Sequence, residues 1–350
     1  MRLDRISKEN LLRLMKEVSD INSFNTHFAV QKQLSPQMIT RLTKSVLVTS
    51  TWSSNRIEGN KLSDEEVDKL YKKLRITKLK TRDEQEVGGY IDLLELVFNV
   101  YADMEFTEWL ILQFHSMMLK YTDKDAWHRG KYKFWPNRVE ARDRQGNLVK
   151  AIFNPTEPAL VPHEIKALVE RTQDHLKKWT YPSLFIIGNF IFEYLAIHPF
   201  QDGNGRTSRI LTNLLLLKAG YKFDPFVSHE KIIENNKADY YKALNIAQET
   251  WKTDHEDITP WLFFFLKVVR KQAETAVKLI EMDEVEAWLS DRQKAVRKCV
   301  LKNDGVSRKE IIDETGSPAP TVNQALQKLL DMKKIIRKWE GRGVKYFVAE

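Results

Sequence analysis

Apolar residues recur along most of this chain at three- and four-residue intervals, the spacing that lines one face of an α-helix. Ile6, Leu11, Leu12, Leu14 and Met15 open the pattern, and Ser7 with Glu9 nearby reads as the start of a helix over residues 7–16. A second helix is expected over 36–58. Ser63-Asp-Glu-Glu66, just before Val67 and Leu70, has the form of a capping box, in which the hydroxyl and the carboxylate each take a free backbone N–H. The helical rhythm continues over 83–101 and 106–120. Ile210, Leu211 and Leu214 to Leu217 are too continuously apolar for a surface helix and predict a buried one, as does Asp257-Ile-Thr-Pro-Trp261-Leu-Phe-Phe-Phe265-Leu. One region breaks the rhythm. From Asn137 to Phe153 two short β-like runs flank Gly146-Asn147, which predicts a hairpin.

The character changes again from Arg292. A helical segment to Asn303 leads to Val306-Ser307-Arg-Lys-Glu310, a second capping box, and a helix that Gly316 ends. Ser317 to Leu330 supplies another helix after a short turn, so the pair predicts a helix-turn-helix. Ile335 to Val348 reads as two strands around a Gly341-Arg342-Gly343 tip, which together resembles a winged helix. On the recognition helix Thr321, Asn323 and Gln324 would face base edges, and Arg342 and Lys345 in the wing would meet phosphates. Winged helices also serve as protein-docking modules, so DNA and protein both stand as partners for this end.

Composition narrows the class without naming a function. With 350 residues, two or three domains are expected, and 42% apolar with 30% charged residues is ordinary for a globular protein. The apolar stretches are interrupted, at Glu193 for example, or too short for a membrane span, and Met1 to Lys8 carries no apolar secretion core. A cytoplasmic protein without membrane contact is expected. A single cysteine, Cys299, rules out an internal disulfide framework and a multi-cysteine metal site. Net charge is +8, and residues 292–350 hold most of it, with 14 Lys/Arg against 7 Asp/Glu. The rest of the chain is close to neutral, so a general basic surface is not implied.

The chemistry gathers in one string, His198-Pro-Phe-Gln-Asp202-Gly-Asn-Gly-Arg206-Thr-Ser-Arg209. Gly203 and Gly205 let a phosphate approach the main chain, and the helix that follows offers free N–H groups and its dipole to an anion. Arg206 and Arg209, three residues apart, share a face and can grip two phosphates. Asp202 is a hard oxygen donor of the kind Mg²⁺ takes together with phosphates. His198 carries a side chain whose ordinary pKa suits a general base.

This string resembles the Fic family signature, His-x-Phe-x-Asp/Glu-Gly-Asn-Gly-Arg-x-x-Arg, at every fixed position. The resemblance runs from about Lys44 to Lys271 and implies transfer of AMP from Mg²⁺-ATP to a protein hydroxyl on Ser, Thr or Tyr, with pyrophosphate leaving. It implies that His198 is the base and that Asp202 holds Mg²⁺. Gly203, Asn204 and Gly205 would cradle the inner phosphates, and Arg206 and Arg209 the outer ones, with Thr207 and Ser208 in the same nucleotide-binding turn. Relatives that transfer phosphate resemble a variant with Lys in place of the first arginine, and Arg206 argues against that chemistry.

The hairpin resembles the family's flap, which is thought to hold the target segment by strand addition. Its approach, Gly130 to Val139, has Lys133 where the family usually has Arg. By the same resemblance Arg138, Val139, Glu140 and Ala141 border the nucleotide. Tyr240-Tyr241-Lys-Ala-Leu244 resembles a family helix whose aromatic lies against adenine, which makes Tyr240 the candidate, and Gln248 stands where relatives often have Asn. Adjacent aromatics cannot face the same way on a helix, so one tyrosine of the pair belongs to the core.

Ser54-Asn-Arg-Ile-Glu58-Gly59 resembles the family's inhibitory pattern, Ser/Thr-x-x-x-Glu-Gly/Asn. It implies that Glu58 pairs with Arg209 and denies that guanidinium to the γ-phosphate. Some relatives use the same glutamate to remove AMP. The expected fold is all-α, a Fic helical core with a small hairpin, in three parts. Residues 1–100 form a helical region carrying the inhibitory helix (about 44–59), residues 101–275 the core, and residues 290–350 the winged helix. A homodimer is expected, and the chain itself is one candidate protein substrate. The alternative is a nucleotide-sensing transcription regulator that acts on DNA through the winged helix.

Overall fold

A computed structural model describes residues 2–30, 36–73, 79–137, 139–142, 148–287, 290–303, 305–331, 334–340 and 343–349. They divide into two compact units, Met1–Val277 and Lys278–Glu350. The parts expected at 1–100 and 101–275 therefore pack as one body. The second helix joins them, because it packs on the helices that follow it.

The first unit is helical, and its helices start where side chains can satisfy the first turn. Helix α1 (Lys8–Val30) begins at Ser7, whose Oγ accepts the Asn10 N–H at 3.3 Å, and it runs well past the expected residue 16. Helices α2 (Pro36–Ile57) and α3 (Asp64–Lys73) follow. The Ser63–Glu66 box is present, with the Ser63 N–H donating to Glu66 Oε2 at 2.7 Å and the Glu66 N–H to Ser63 Oγ at 3.3 Å. Helix α4 (Arg82–Val100) has a second box, Thr81 with Glu84, and α5 (Glu108–Met118) is capped by Thr107. Then come α6 (Val161–Lys178), α7 (Ser183–Ile197), α8 (Asn204–Lys218), α9 (His229–Asn235), α10 (Lys237–Glu249) and α11 (Thr259–Ala287).

Helices α7 and α8 form the centre. Every residue from Leu184 to Ile197 is buried, as is most of α8 from Asn204 to Leu217. Each fully buried Leu, Ile or Phe contributes about 1.5–3 kcal/mol, so this pair carries a large share of the burial in the unit. Helix α7 packs on α6 and α8, and α8 in turn on α4, α5 and α2. Helix α2 lies across α9 and α4. The Trp261 indole of α11 donates to Gly188 O at 2.8 Å, tying α11 to α7. The loop joining α7 to α8, His198 to Gly203, thus hangs between two immobile ends.

The expected hairpin is present as β1 (Val139–Arg142) and β2 (Leu148–Phe153), antiparallel, with register shifts at Val139/Glu140 and Ala141/Arg142. Gly146-Asn147, the turn read from the sequence, lies outside the described residues, as does Arg138. The Phe153 ring lies 5.4 Å from Trp251, which joins β2 to the segment after α10.

In the second unit α12 (Asp291–Lys302), α13 (Arg308–Thr315) and α14 (Ala319–Asp331) surround one apolar cluster. Val296, Cys299, Val300, Ile311, Val322, Leu326, Leu329 and Ile335 build it, so the lone cysteine is a core residue. A short strand β3 (Val306–Ser307) was not expected. It pairs with β5 (Gly343–Val348), which also pairs with β4 (Ile335–Glu340), giving an antiparallel sheet in the order β3-β5-β4. Of the tip, Gly341 and Arg342 lie outside the described residues. Ser307 and Glu310 form the expected box, and Gly316 closes α13 in the left-handed region at φ 59°. Among the described residues no helix is long and apolar enough to cross a membrane.

Loss of the Ser307 cap is the most local test of this unit. Ser307→Ala should cost about 1 kcal/mol of stability, read as a lower denaturant midpoint of the chain without loss of helical signal.

Candidate active site

The turn between α7 and α8 owes its shape to three side chains. His198 ends α7 in the left-handed region (φ 52°), with its N–H donating to Tyr194 O at 2.9 Å. Asn204, the first residue of α8, reaches back across the turn. Its Oδ1 accepts the Phe200 N–H at 2.8 Å, and its Nδ2 donates to Phe200 O at 2.7 Å. Phe200 is fully buried and stacks on His115 of α5 at 3.7 Å, with the rings 2° from parallel. His115 Nδ1 accepts the Gly130 N–H at 3.0 Å, so Nε2 carries the proton and donates to Asp202 O at 3.1 Å. Burial brings the His115 ring down to about 3, so it stays neutral and acts as a fixed strut.

His198 itself is half-buried. Its Nδ1 lies 3.3 Å from Leu195 O and donates there, which leaves Nε2 as the free lone pair. Burial pushes its pKa down to about 4, and the nearby Lys133 cation pushes in the same direction. At neutral pH this imidazole is a base ready to accept a proton.

Gly203 follows at φ 83°, a conformation closed to most side chains, and starts α8. The first N–H groups of a helix have no intrahelical partner, so the Asn204–Gly205–Arg206 end is an anion site by construction. Asp202 borders it. Its Oδ1 accepts the Gly203 N–H at 2.6 Å, and its Oδ2 lies 3.1 Å from both Arg206 Nη2 and Arg82 Nη2. Burial alone would raise this carboxyl, but Arg206, the Gly203 N–H and Arg82 outweigh it and hold it below the ordinary value. Asp202 thus stays a charged oxygen donor. One carboxylate beside a phosphate cradle is the donor set that Mg²⁺ takes when phosphates complete its shell. No larger cluster of metal-ligating side chains occurs among the described residues.

The two arginines are buried, Arg206 at 3% and Arg209 at 2% exposure. Arg206 Nη1 lies 3.0 Å from Glu86 Oε2 of α4. Arg209 is held from α2, its Nε donating to Ser54 Oγ at 2.7 Å and its Nη2 to Ser54 O at 3.0 Å and Glu58 Oε1 at 2.7 Å. Burial works most strongly against its charge, but the Glu58 carboxylate together with Tyr240 and Tyr90 outweighs it and raises its pKa. Glu58 and Arg209, 151 residues apart in sequence, are thus in direct contact. Gly59 turns the chain away behind α2 at φ 97°, and Lys237 Nζ covers the free Ile57 carbonyl at 2.7 Å. The carboxylate also lies over Gly205, where a methyl group would overlap Glu58 Oε1 and crowd Arg209 Nη1. Arg209 Nη1 is buried without a partner among the described atoms, a donor left open beside the cradle.

The remaining candidates divide. Thr207 and Ser208 face inward, with Thr207 Oγ1 on Met118 Sδ at 3.8 Å and Ser208 Oγ donating to Gly205 O at 2.8 Å, so only their backbone adjoins the cradle. Val139, Glu140 and Ala141 lie on β1 opposite Phe153, Ala151 and Lys150, and their side chains fall outside the described residues. Tyr240 is the core member of its pair. It is 4% exposed and packs on Trp261 at 5.8 Å and Phe264 at 5.7 Å, because it sits on the face of α10 that meets α11. The ring that an adenine could reach is its half-buried neighbour Tyr241, whose pKa burial raises, with the Glu58 charge adding. Gln248 is buried at 4%, with its Oε1 unpartnered among the described atoms.

Several contributors have no signal in the sequence. Arg82 and Glu86 enter from the first turns of α4, 120 residues before the turn they touch. His115 lies on a largely apolar helix, where a histidine is usually a core residue.

Residues 105–216 match the Fic/DOC family model, so the chain carries a Fic/DOC family domain. Protein adenylyltransferase fic-1 of Caenorhabditis elegans is 28% identical over 141 residues, 40% of this chain and 24% of its own length. A protein adenylyltransferase Fic of Drosophila willistoni is 34% identical over 113 residues, 31% of this chain and 20% of its own. A probable protein adenylyltransferase of Aquifex aeolicus is 38% identical over 104 residues, 28% of each chain. The chain therefore spans about a quarter of the length of these curated relatives. Among solved structures, a Fic domain containing signaling protein from Bacteroides thetaiotaomicron superposes with a TM-score of 0.61 at 21% identity, covering 75% of this chain and 97% of that one. A Fic family protein from Desulfovibrio desulfuricans gives 0.60 at 22%, covering 98% and 96%. At these identities the likeness is one of fold.

The contact between Glu58 and Gly205 is open to direct measurement. Gly205→Ala should cost about 1–3 kcal/mol by overpacking, and in a Glu58→Gly background most of that cost should vanish. Denaturation of both single variants and the double variant checks this, and strictly additive losses would show that the carboxylate does not occupy the space over Gly205.

Proposed function

We propose that this chain transfers AMP from ATP to a hydroxyl of a protein and that Glu58 holds the reaction off. The observation that carries the reading is the Glu58–Arg209 pair at 2.7 Å, because it sets a carboxylate in an anion cradle that shares a turn with a neutral imidazole. An anion site already filled by the protein's own anion is a competitor for phosphate.

In the reaction the target hydroxyl oxygen attacks the α-phosphorus of ATP, the bond to the β-phosphate bridging oxygen breaks, and pyrophosphate leaves. His198 Nε2 takes the hydroxyl proton. The Gly203–Gly205 backbone and Asn204 bind the inner phosphates, and Arg206 and Arg209 the outer ones, which aligns the leaving group with the attacking oxygen. Mg²⁺, held by Asp202 and the phosphates, would neutralise charge on the triphosphate. The edge of the flap adds the target segment as a strand and brings its hydroxyl to His198. Tyr241, rather than Tyr240, lies against the adenine.

While Glu58 holds Arg209, the γ-phosphate lacks its partner and ATP adopts a pose unfit for in-line attack. Release of Glu58 frees Arg209 and the space over Gly205 together. The second unit, with its helix-turn-helix and two-stranded wing, is read as a winged helix.

With labelled ATP and Mg²⁺, Glu58→Gly should raise AMP incorporation by about tenfold or more, in line with the rate gained from near-attack geometry, and His198→Ala in that background should abolish it. Intact-mass spectrometry checks the product. A gain of one phosphate instead of one AMP would overturn the reaction class, and equal activity of wild type and Glu58→Gly would remove the brake.

A further inference from the structure

The segment before the flap is fastened to the catalytic turn by a buried lysine. Lys133 is 3% exposed. Its backbone N–H donates to Pro199 O at 2.9 Å, and its Nζ donates to Ile197 O at 3.2 Å and to Asn137 Oδ1 at 2.7 Å. Asn137 closes the loop, its Nδ2 donating to Phe200 O at 3.0 Å. The two residues thus bind the carbonyls on either side of His198 and Pro199, and β1 begins at Val139, two residues beyond Asn137. Whatever fixes Asn137 fixes where the flap starts relative to the base.

The ammonium is held there against its own solvation. Its hydrogen-bond partners are a carbonyl and an amide oxygen, which are neutral acceptors. The charged and titratable groups that face it are His198 after α7, Glu157 before α6 and Glu164 on α6. Glu164 is already engaged by Lys252 and Thr156. Burial outweighs the two carboxylates and brings the Lys133 ammonium down to about 8. An arginine in this place would keep its charge at any pH a protein survives, and the two side chains are not interchangeable for that reason.

We propose that Lys133 is a positioning residue whose cation latches the start of the flap to the His198 turn, and that lysine in this place gives the reaction an alkaline limit that arginine would not. Above that limit the Nζ contacts lose their charge assistance, which roughly halves their strength. The flap then loosens from the turn. The rate consequence rests on the AMP-transfer reading given above, whereas the latch itself does not.

The experiment uses the full chain carrying Glu58→Gly, with Lys133 retained or replaced by Arg or Met, and takes two readouts across pH. Labelled AMP incorporation with Lys133 should fall severalfold between about pH 7.5 and about pH 9.5, with the midpoint of one group of pKa about 8, to the plateau set by the neutral lysine. Lys133→Arg should hold its rate over that range, and Lys133→Met should run at neutral pH near the alkaline rate of the lysine chain. The second readout is the amide NMR signals of Val139–Arg142, which should titrate with the same midpoint in the lysine chain and stay still in both variants. Identical profiles for Lys and Arg, full activity of Lys133→Met at neutral pH, or flap signals that do not titrate would each overturn the proposal. Flap signals that titrate only with Lys133, in a chain that transfers no AMP at any pH, would uphold the latch and overturn the AMP-transfer reading.

Discussion

A guanidinium buried to 2% exposure must be paired, because an isolated charge in the interior costs many kcal/mol. Arg209 meets that demand with the side chain and carbonyl of Ser54 and the carboxylate of Glu58, all from the end of α2. Helix α2 also packs on α9 and α4, so the same helix that supplies these partners joins the N-terminal helices to the core. Its dry surroundings near the start of α8 make Arg209 demand an anion, and Glu58 supplies one. The Glu58–Arg209 pair is therefore a consequence of burial.

The turn in front of Arg209 is built with similar economy. The stacked His115 and Phe200 rings, the two Asn204 hydrogen bonds and the Lys133–Asn137 link leave few ways for the chain to run between α7 and α8. Asn204, Asn137 and Lys133 also bond backbone groups of the turn, which leaves His198 Nε2 outside this network. His198 is neutral because it is buried, and Asp202 is charged because two arginines and an N–H outweigh its burial. A neutral imidazole and an ionised carboxylate, both without their proton, stand four residues apart, each set by its neighbours.

Much of the fold was legible along the chain. The helix starts at Ser7, Ser63 and Ser307, the buried helices after His198 and after Asp257, and the hairpin over 137–153 are local matters, governed by caps, periodicity and turn residues. The departures were local matters decided elsewhere. Helix α1 runs on to Val30 because its later turns pack, whereas propensity alone marked only its start. Strand β3 is two residues long and exists only because β5 lies beside it. The tyrosine pair shows the limit most plainly. Helical spacing requires that one ring face inward, and only the presence of Trp261 and Phe264 on the next helix makes that ring Tyr240.

By itself the sequence determined which chemical groups are available and in what local order, namely a base, a carboxylate, a glycine turn and two guanidiniums within twelve residues. Those groups are close in space because they are close in the chain, and a turn followed by a helix needs little else to bring them together. Tertiary structure alone decided their partners. Arg82, Glu86, His115 and Glu58 arrive from segments with no local tie to the turn, because burying the apolar faces of α2, α4 and α5 against α8 brings them along, and Lys133 joins from the segment before the flap. The physical reason is the difference between the two kinds of force. Caps and turns act over a few residues and can be read one stretch at a time, whereas the pairing of buried charges depends on which helices the hydrophobic core has already brought side by side.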